Sequence, residues 1–375
     1  MRYFFACINS AGSNVPATAV PLLPSRPQTR EETGVDLRLS EEQRAVRETF
    51  AALFRKEATP QRVRAAESSG LDQDLWRRFS ETEALGIGVA SDCGGVGGGL
   101  LELALVAEEA GRRLAPIPVA ETAAAARLLG RLGEKELIGP VLTGSSIVSL
   151  ATGPGPVEKQ LLVDGAIADA ILAVEGSSLL YVIRPAGLAR TPRPNFGGLA
   201  LARWPDGCER RCLADGDSAR TMFAIALDEV RVLRAAALIG LAAEAVRIGS
   251  DYAKVRHAFG QPIAMYQAVA HPFADAVAAL DGAQLLIQKV CWALDSGHAD
   301  GPALASMAFV FAAETAYQAA GHSLHVHGGY GFMEEYDIQL YYRRAKAWAV
   351  TFADPRRELL TLADRRFGPV STGGH

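Results

Sequence analysis

No run of about eighteen apolar residues occurs in this chain, so no single helix is expected to span a bilayer. Cysteine is scarce. Cys7, Cys93, Cys208, Cys212 and Cys291 are odd in number and scattered, and although Cys208 and Cys212 lie close, no second pair completes a zinc ribbon. That usage fits a reducing cytoplasm, the expected compartment. Charge of one sign is also missing. A formal net charge of -4 and a pI near 6.0 give no sequence-wide attraction to nucleic acid or anionic membrane. The glycine run Gly94-Gly95-Val96-Gly97-Gly98-Gly99 lacks the preceding strand and the Lys-Ser/Thr of a P-loop, so it reads as a turn before a helix. No internal repeat appears at solenoid periods.

What is present is enough chain for two or three domains: 375 residues, 49% of them apolar. Residues 1–35 hold Asn, Ser, Pro and Thr without a period, and read as a disordered tail. Residues 36–138 form an expected helical domain. It opens on the capping-box pattern Ser40-Glu41-Glu42-Gln43, followed by Val46, Phe50, Leu53 and Phe54 at helical spacing. Residues 139–227 change texture. Ser146–Leu150, Leu161–Val163, Ala170–Val174, Leu179–Ile183 and Met222–Leu227 read as short strands separated by Gly, Pro, Asp and Asn, which predicts a small β-barrel or sandwich. Residues 228–375 return to Ala-rich helical sequence. The fold class expected is therefore α+β, multidomain, and not a doubly wound nucleotide fold, because strands and helices do not alternate.

Two short segments carry the chemistry. In Arg256-His257-Ala258-Phe259-Gly260-Gln261-Pro262-Ile263, followed by Gln267, an Arg beside a Phe-Gly bend can offer a planar guanidinium to a pyrophosphate; alone, it reads equally well as a solvated charge at a helix end. In His325-Val326-His327-Gly328-Gly329-Tyr330-Gly331-Phe332, the glycines permit positive φ and close backbone approach to a dinucleotide. His322, His325 and His327 lack a Glu in the cluster and zincin spacing, so no metal is expected.

Together these two segments resemble the flavin-binding signatures of the acyl-CoA dehydrogenases, and the α, β, α order from Leu39 to about Gly368 is similar to that family's. The resemblance implies an N-terminal helical domain, a middle β-domain, and a C-terminal four-helix bundle, assembled as dimers or dimer pairs with FAD at a subunit interface. It places Arg256, Phe259 and Gln267 on a FAD belonging largely to the neighbouring subunit. Gly328 and Gly329 belong to the same site, with His325 standing where Gln is usual. In the family, Arg-x-Ala-Lys leads to a Tyr-Glu-Gly turn whose Glu removes the substrate's α-proton. Here Arg343-Arg344-Ala345-Lys346 leads instead to Phe352-Ala353, and a phenyl ring accepts no proton. Asp354, two residues on, and Glu229, near a second position used by a minority of the family, are the substitutes; a helix cap and a junction charge are their alternative readings. The flavin-covering strand offers only Ala151-Thr152-Gly153-Pro154-Gly155, in which Thr152 retains one contact.

The resemblance narrows to an actinobacterial variant, an α2β2 enzyme in which one subunit lacks the base and helps to hold FAD. The function it implies is a subunit of a FAD-dependent acyl-CoA dehydrogenase forming a trans-2-enoyl-CoA. Its expected partners are an acyl-CoA thioester substrate, a second dehydrogenase-like subunit that supplies the base, and an electron-transfer flavoprotein as acceptor. The alternatives are a self-sufficient homomer using Asp354 or Glu229, and a non-catalytic scaffold.

Overall fold

The computed structural model describes residues 35–153 and 155–368; the tail expected over 1–35 lies, but for Val35, outside the described residues. Val35 and Asp36 belong to a separate N-terminal unit, and the rest of the chain from Leu37 forms one compact unit. The first helices begin where side chains can cap them. In α1 (Glu41–Glu57) the Gln43 amide donates to Ser40 Oγ at 3.2 Å and the Ser40 amide donates back to Gln43 Oε1 at 2.9 Å. Thr59 caps α2 (Pro60–Ala65), with Pro60 at the first helical position, and Asp72 caps α3 (Gln73–Ser80). Phe50, Phe54 and Phe79 fill the space between α1 and α3 with ring centroids about 6 Å apart. Three helices follow: α4 (Leu100–Arg112), α5 (Val119–Leu132) and α6 (Lys135–Leu142).

The middle segment is built on one four-stranded sheet, where sequence predicts a barrel or sandwich. Strands β1 (Val148–Leu150), β2 (Ala170–Glu175), β3 (Ser178–Ile183) and β4 (Arg210–Ala214) lie in that order, β1 parallel to β2 and the others antiparallel. Leu161–Val163 contributes a single bridge, Leu162 to Ala202, and not a full strand. The helix α7 (Gly216–Val255) begins inside the segment read as β, so Met222–Leu227 is helical. The reason is visible in what that run buries: Ala219, Phe223, Ala226 and Val230 recur at three- and four-residue steps, a period that an unbroken apolar run conceals. Both expected domain boundaries are crossed by a helix, α6 at the first and α7 at the second.

The 40 residues of α7 make it about 60 Å long, and the remaining helices pack against it or its neighbours. They are α8 (Gln267–Asp295), α9 (Gly301–Val326), α10 (Ile338–Phe352) and α11 (Pro355–Phe367). By length and composition α8 is apolar enough to cross a membrane, with a mean hydropathy of 1.2. It packs instead on α7, α9 and α4, and leaves Val277, Leu285 and Trp292 exposed.

Backbone-to-backbone approach fixes the crossing of α4 and α7. A Cβ built on Gly240 would stand 1.8 Å from the Glu108 carbonyl oxygen, and one on Gly111 2.0 Å from that of Ala237. Each helix needs the other's glycine. Gly240→Ala is therefore expected to push the two helices apart and lower stability by roughly 1–3 kcal/mol or more. Thermal unfolding checks this, and an unchanged Tm would show that the crossing tolerates a methyl group.

Candidate functional site

At one end of the bundle the chain reverses through a hairpin. Arg256 leaves the helical region (φ -78, ψ 123), and His257–Ala258 (β5) pairs with Gln261–Pro262 (β6) around Phe259 and Gly260. Both central residues have positive φ, 51 and 83, as a two-residue turn matching strand twist requires. A phenylalanine is held in the left-handed region and is 96% exposed, so its position is imposed by the turn and not by burial. The hairpin is tied down by the Ile263 amide donating to the Arg256 carbonyl at 2.8 Å and by Tyr266 Oη donating to the Ala258 carbonyl at 2.9 Å.

The second segment arrives at the same end. His327 stacks on Tyr252 of α7 with centroids 4.1 Å apart and bonds the Ser323 carbonyl through Nδ1. His322 Nε2 lies 3.1 Å from the Val269 carbonyl in the first turn of α8 and meets Phe273 edge-on. These contacts bring the C-terminal ends of α7 and α9 to the start of α8. They gather the exposed Arg256, Phe259, Gln267, His325, Gly328 and Gly329. Among the described residues none bonds the side chains of Arg256, Gln267 or His325, and a Cβ at Gly260, Gly328 or Gly329 would meet nothing within 4 Å. The result is an open surface with an uncompensated guanidinium, chemistry suited to a phosphate. No group of three His, Cys, Asp or Glu able to hold a metal ion occurs among the described residues.

Thr152 follows β1 elsewhere. The sheet adjoins the opposite end of α7, where Ser177 Oγ donates to Asp215 at 2.7 Å and Arg220 donates to the Gly176 carbonyl at 3.2 Å. One copy of the chain does not bring Thr152 to the Arg256 hairpin.

Phe352 ends α10 and is buried. Its ring meets Phe309 edge-on at 5.2 Å, and the Arg231 guanidinium lies over it at 5.5 Å. Asp354 caps α11 by accepting from the Arg356 amide at 3.0 Å. Glu229 is buried and accepts from Arg127 at 2.8 Å and from both terminal nitrogens of Arg131 at 2.7 and 2.8 Å. Two further carboxylates meet the Arg231 guanidinium that covers Phe352. Glu358 accepts from Arg231 at 2.7 Å and from Ser306 Oγ at 2.6 Å; Asp228 accepts from Arg231 at 2.9 Å and Arg365 at 2.7 Å. Burial pushes the Asp228 carboxyl up, against the pull of Arg365 and Arg231. The only sequence signal was the recurrence of acidic and basic residues on an otherwise apolar helix, which does not name partners more than a hundred residues away. Each of these carboxylates is engaged by an arginine or a cap, so none stands free as a proton acceptor at the end of α10.

Comparison with known proteins accords with this architecture. The profile of the acyl-CoA dehydrogenase N-terminal domain matches residues 40–143, and that of the C-terminal domain matches residues 221–351. The acyl-CoA dehydrogenase IpdE2 of Mycolicibacterium smegmatis is 31% identical over 86% of this chain and 98% of its own length. A solved steroid acyl-CoA dehydrogenase, Tcur3481-Tcur3483, superposes with a TM-score of 0.78 at 27% identity, over 87% of this chain and 98% of that one. The ChsE4-ChsE5 complex from Mycobacterium tuberculosis shares the fold, with a TM-score of 0.76 at 23% identity over 90% of this chain and all of that one.

The paired charges around Arg231 set a stability test. Glu358→Ala leaves Arg231 without its closest counter-ion and Ser306 without an acceptor, in a site with almost no solvent access. Breaking one partner of such a pair costs about 3–5 kcal/mol. Denaturant unfolding should show a loss of that size, and a change within roughly 1 kcal/mol, the range of exposed pairs, would mean the pair is solvated.

Proposed function

The chain belongs to the acyl-CoA dehydrogenase family, and from that premise we propose that it is the subunit of a two-component FAD-dependent enzyme that helps to hold the flavin while a partner chain removes the substrate's α-proton. The observation that carries this reading is Phe352. A buried phenyl ring, pinned between Phe309 and Arg231, stands where the family's base follows Arg343-x-Ala345-Lys346. The carboxylates that could replace it are held in ion pairs or a helix cap.

The residues at the bundle end fit the cofactor. Arg256 presents a guanidinium whose flat donor array matches phosphate oxygens, and the Phe259 hairpin and the Gly328-Gly329 turn leave room beside it for a dinucleotide. Gln267, at the start of α8, adds an amide, and His325 a ring nitrogen able to donate one hydrogen bond. When bound, FAD supplies the acceptor for the β-hydride of the thioester. This chain's part is to bind and orient. Thr152 and the Arg256 hairpin sit at different places on one copy, so a flavin touching both kinds of contact lies between two chains. Exposed apolar side chains surround that end, among them Val255, Met265 and Phe332, and continue along α8 through Leu285 and Trp292. Burying them against a second dehydrogenase-like subunit removes an apolar surface that a monomer would leave in water. Two of the related structures are named for two components, and one is named for a steroid substrate. A CoA thioester with a bulky acyl group is accordingly the proposed substrate, the trans-2-enoyl-CoA its product, and an electron-transfer flavoprotein the proposed acceptor.

Two substitutions test the reading. Arg256→Ala removes a charge-assisted phosphate contact worth about 1.5–3 kcal/mol, so FAD should bind roughly tenfold to more than a hundredfold more weakly while the melting profile is kept. Unchanged affinity in a flavin fluorescence titration would remove the hairpin from the cofactor site. Asp354→Asn keeps a side chain able to cap α11 and removes only the carboxylate. Turnover by the assembled complex should remain nearly intact. A base contributes about a hundredfold to ten-thousandfold, so a collapse of turnover with flavin retained would make Asp354 the base and defeat the proposal.

A further inference from the structure

The Arg256 hairpin and the Gly328-Gly329 turn follow different helices, so the covalent chain does not set the distance between them. A Cβ at Gly328 or Gly329 would meet nothing within 4 Å, and Gly328 stands at φ 59, so the turn has no side chain and, among the described residues, no near neighbour to hold it. What holds it lies one residue back. His327 is 5% exposed, and its ring stacks on Tyr252 with centroids 4.1 Å apart and planes 21° from parallel. Tyr252 is tied to the other segment as well: its carbonyl accepts from the Arg256 amide at 2.9 Å, where α7 ends. One pair of rings thus joins the residue before the glycines to the last helical bond before the guanidinium.

The helices below fix that pair. Gly249 lies three residues before Tyr252 and Ser323 four before His327, so each shares a helix face with its ring. A Cβ on Gly249 would stand 2.7 Å from Ser323 Cβ and Oγ and 2.9 Å from the Phe273 ring, so α7 and α9 touch there with no room for a side chain. Ser323 also orients the imidazole. A carbonyl only accepts, so its 2.7 Å contact makes His327 Nδ1 the protonated donor and fixes the plane of the ring. Beyond the glycines the segment is held twice more: a Cβ on Gly331 would stand 2.6 Å from the Leu324 carbonyl oxygen, and Arg64 of α2 donates to the Glu334 carbonyl at 3.1 and 2.9 Å. Of these holds, only the Tyr252–His327 stack refers the turn to α7 and Arg256.

We infer that Tyr252 and His327 are positioning residues of the cofactor site: their stacked rings set the Gly328-Gly329 turn at the distance from Arg256 that one FAD spans. The inference rests on the reading above that both segments take FAD. The two rings act through the backbone beside them, Tyr252 through the amide of Arg256 and His327 through its bond to Gly328. A glycine pair placed before the ligand arrives loses less freedom on binding, so the stack lowers the ordering cost of the cofactor. Loss of either ring leaves the guanidinium in place and frees the turn.

Flavin fluorescence titration and hydrogen exchange of the full-length chain, in the assembly in which it is purified, test this with Tyr252→Leu, His327→Leu, their double variant and Tyr252→Phe. Each leucine variant should weaken FAD roughly threefold to tenfold. The double variant should bind no worse than the weaker single, because the rings act as one unit. Tyr252→Phe keeps the ring and should restore binding. In the flavin-free protein, exchange across residues 328–332 should quicken in the leucine variants, a readout independent of the cofactor. A purely structural role would lower Tm and leave both affinity and exchange unchanged below the unfolding range, and that result overturns the inference. Should Tyr252→Leu not fold, His327→Leu carries the same test. If Arg256→Ala weakens FAD and the leucine variants do not, the inference falls and the cofactor site stands; if Arg256→Ala leaves FAD unmoved as well, the cofactor site falls and the inference with it.

Discussion

Buried charge on α7 is the constraint from which the rest of the structure follows. Asp228, Glu229, Arg234 and Glu244 are almost wholly out of solvent, and Arg231 is nearly so. Each is answered from a different part of the chain: Arg365 on α11, Arg127 and Arg131 on α5, Glu121 at the start of α5, Arg113 after α4, and Glu358 on α11. Unpaired, any one of them would be prohibitive at that depth. Pairing thus dictates where α4, α5 and α11 sit around the long helix. It also decides what chemistry is possible beside α10, since the acidic groups there are already committed to arginines.

The same constraint bears on the proposal that the partner, and not this chain, supplies the base. The Phe352 ring is held on one side by Phe309 and on the other by the Arg231 guanidinium, which donates to both Glu358 and Asp228. A carboxylate introduced at that position would face two existing carboxylates across one arginine. The arrangement is stable as it stands and ill suited to proton abstraction. At the far end of α7 the opposite holds. Among the described residues Arg256 has no counter-ion, Phe259 is exposed in a left-handed turn, and apolar side chains face outward, features that cost stability in isolation and that the proposed cofactor and second chain would cover.

Much of this was legible in the sequence. The Ser40–Gln43 capping box announced α1, and the Arg256 and His325 segments marked the two pieces that the bundle gathers at one end. The Met222–Leu227 run was misread because an unbroken apolar stretch hides its period, and only the burial of Ala219, Phe223, Ala226 and Val230 reveals the helix. Apart from the i, i+3 pair of Asp228 with Arg231, the partners of Asp228, Glu229 and Arg234 were not legible. Ion pairs between residues a hundred positions apart leave no local pattern, and nothing in the order of residues distinguishes the buried Glu358 from a surface glutamate.

The central claim, that this chain holds flavin but carries no base, is tested most directly by α-proton exchange. The purified chain, loaded with FAD, is incubated with an acyl-CoA in deuterated water, and deuterium at the α-carbon is followed by mass spectrometry. Because exchange needs a positioned proton acceptor and no net oxidation, it reports on the base alone. The account predicts exchange no faster than in free solution until a partner chain with an intact carboxylate is added. Exchange catalysed by this chain alone would contradict it.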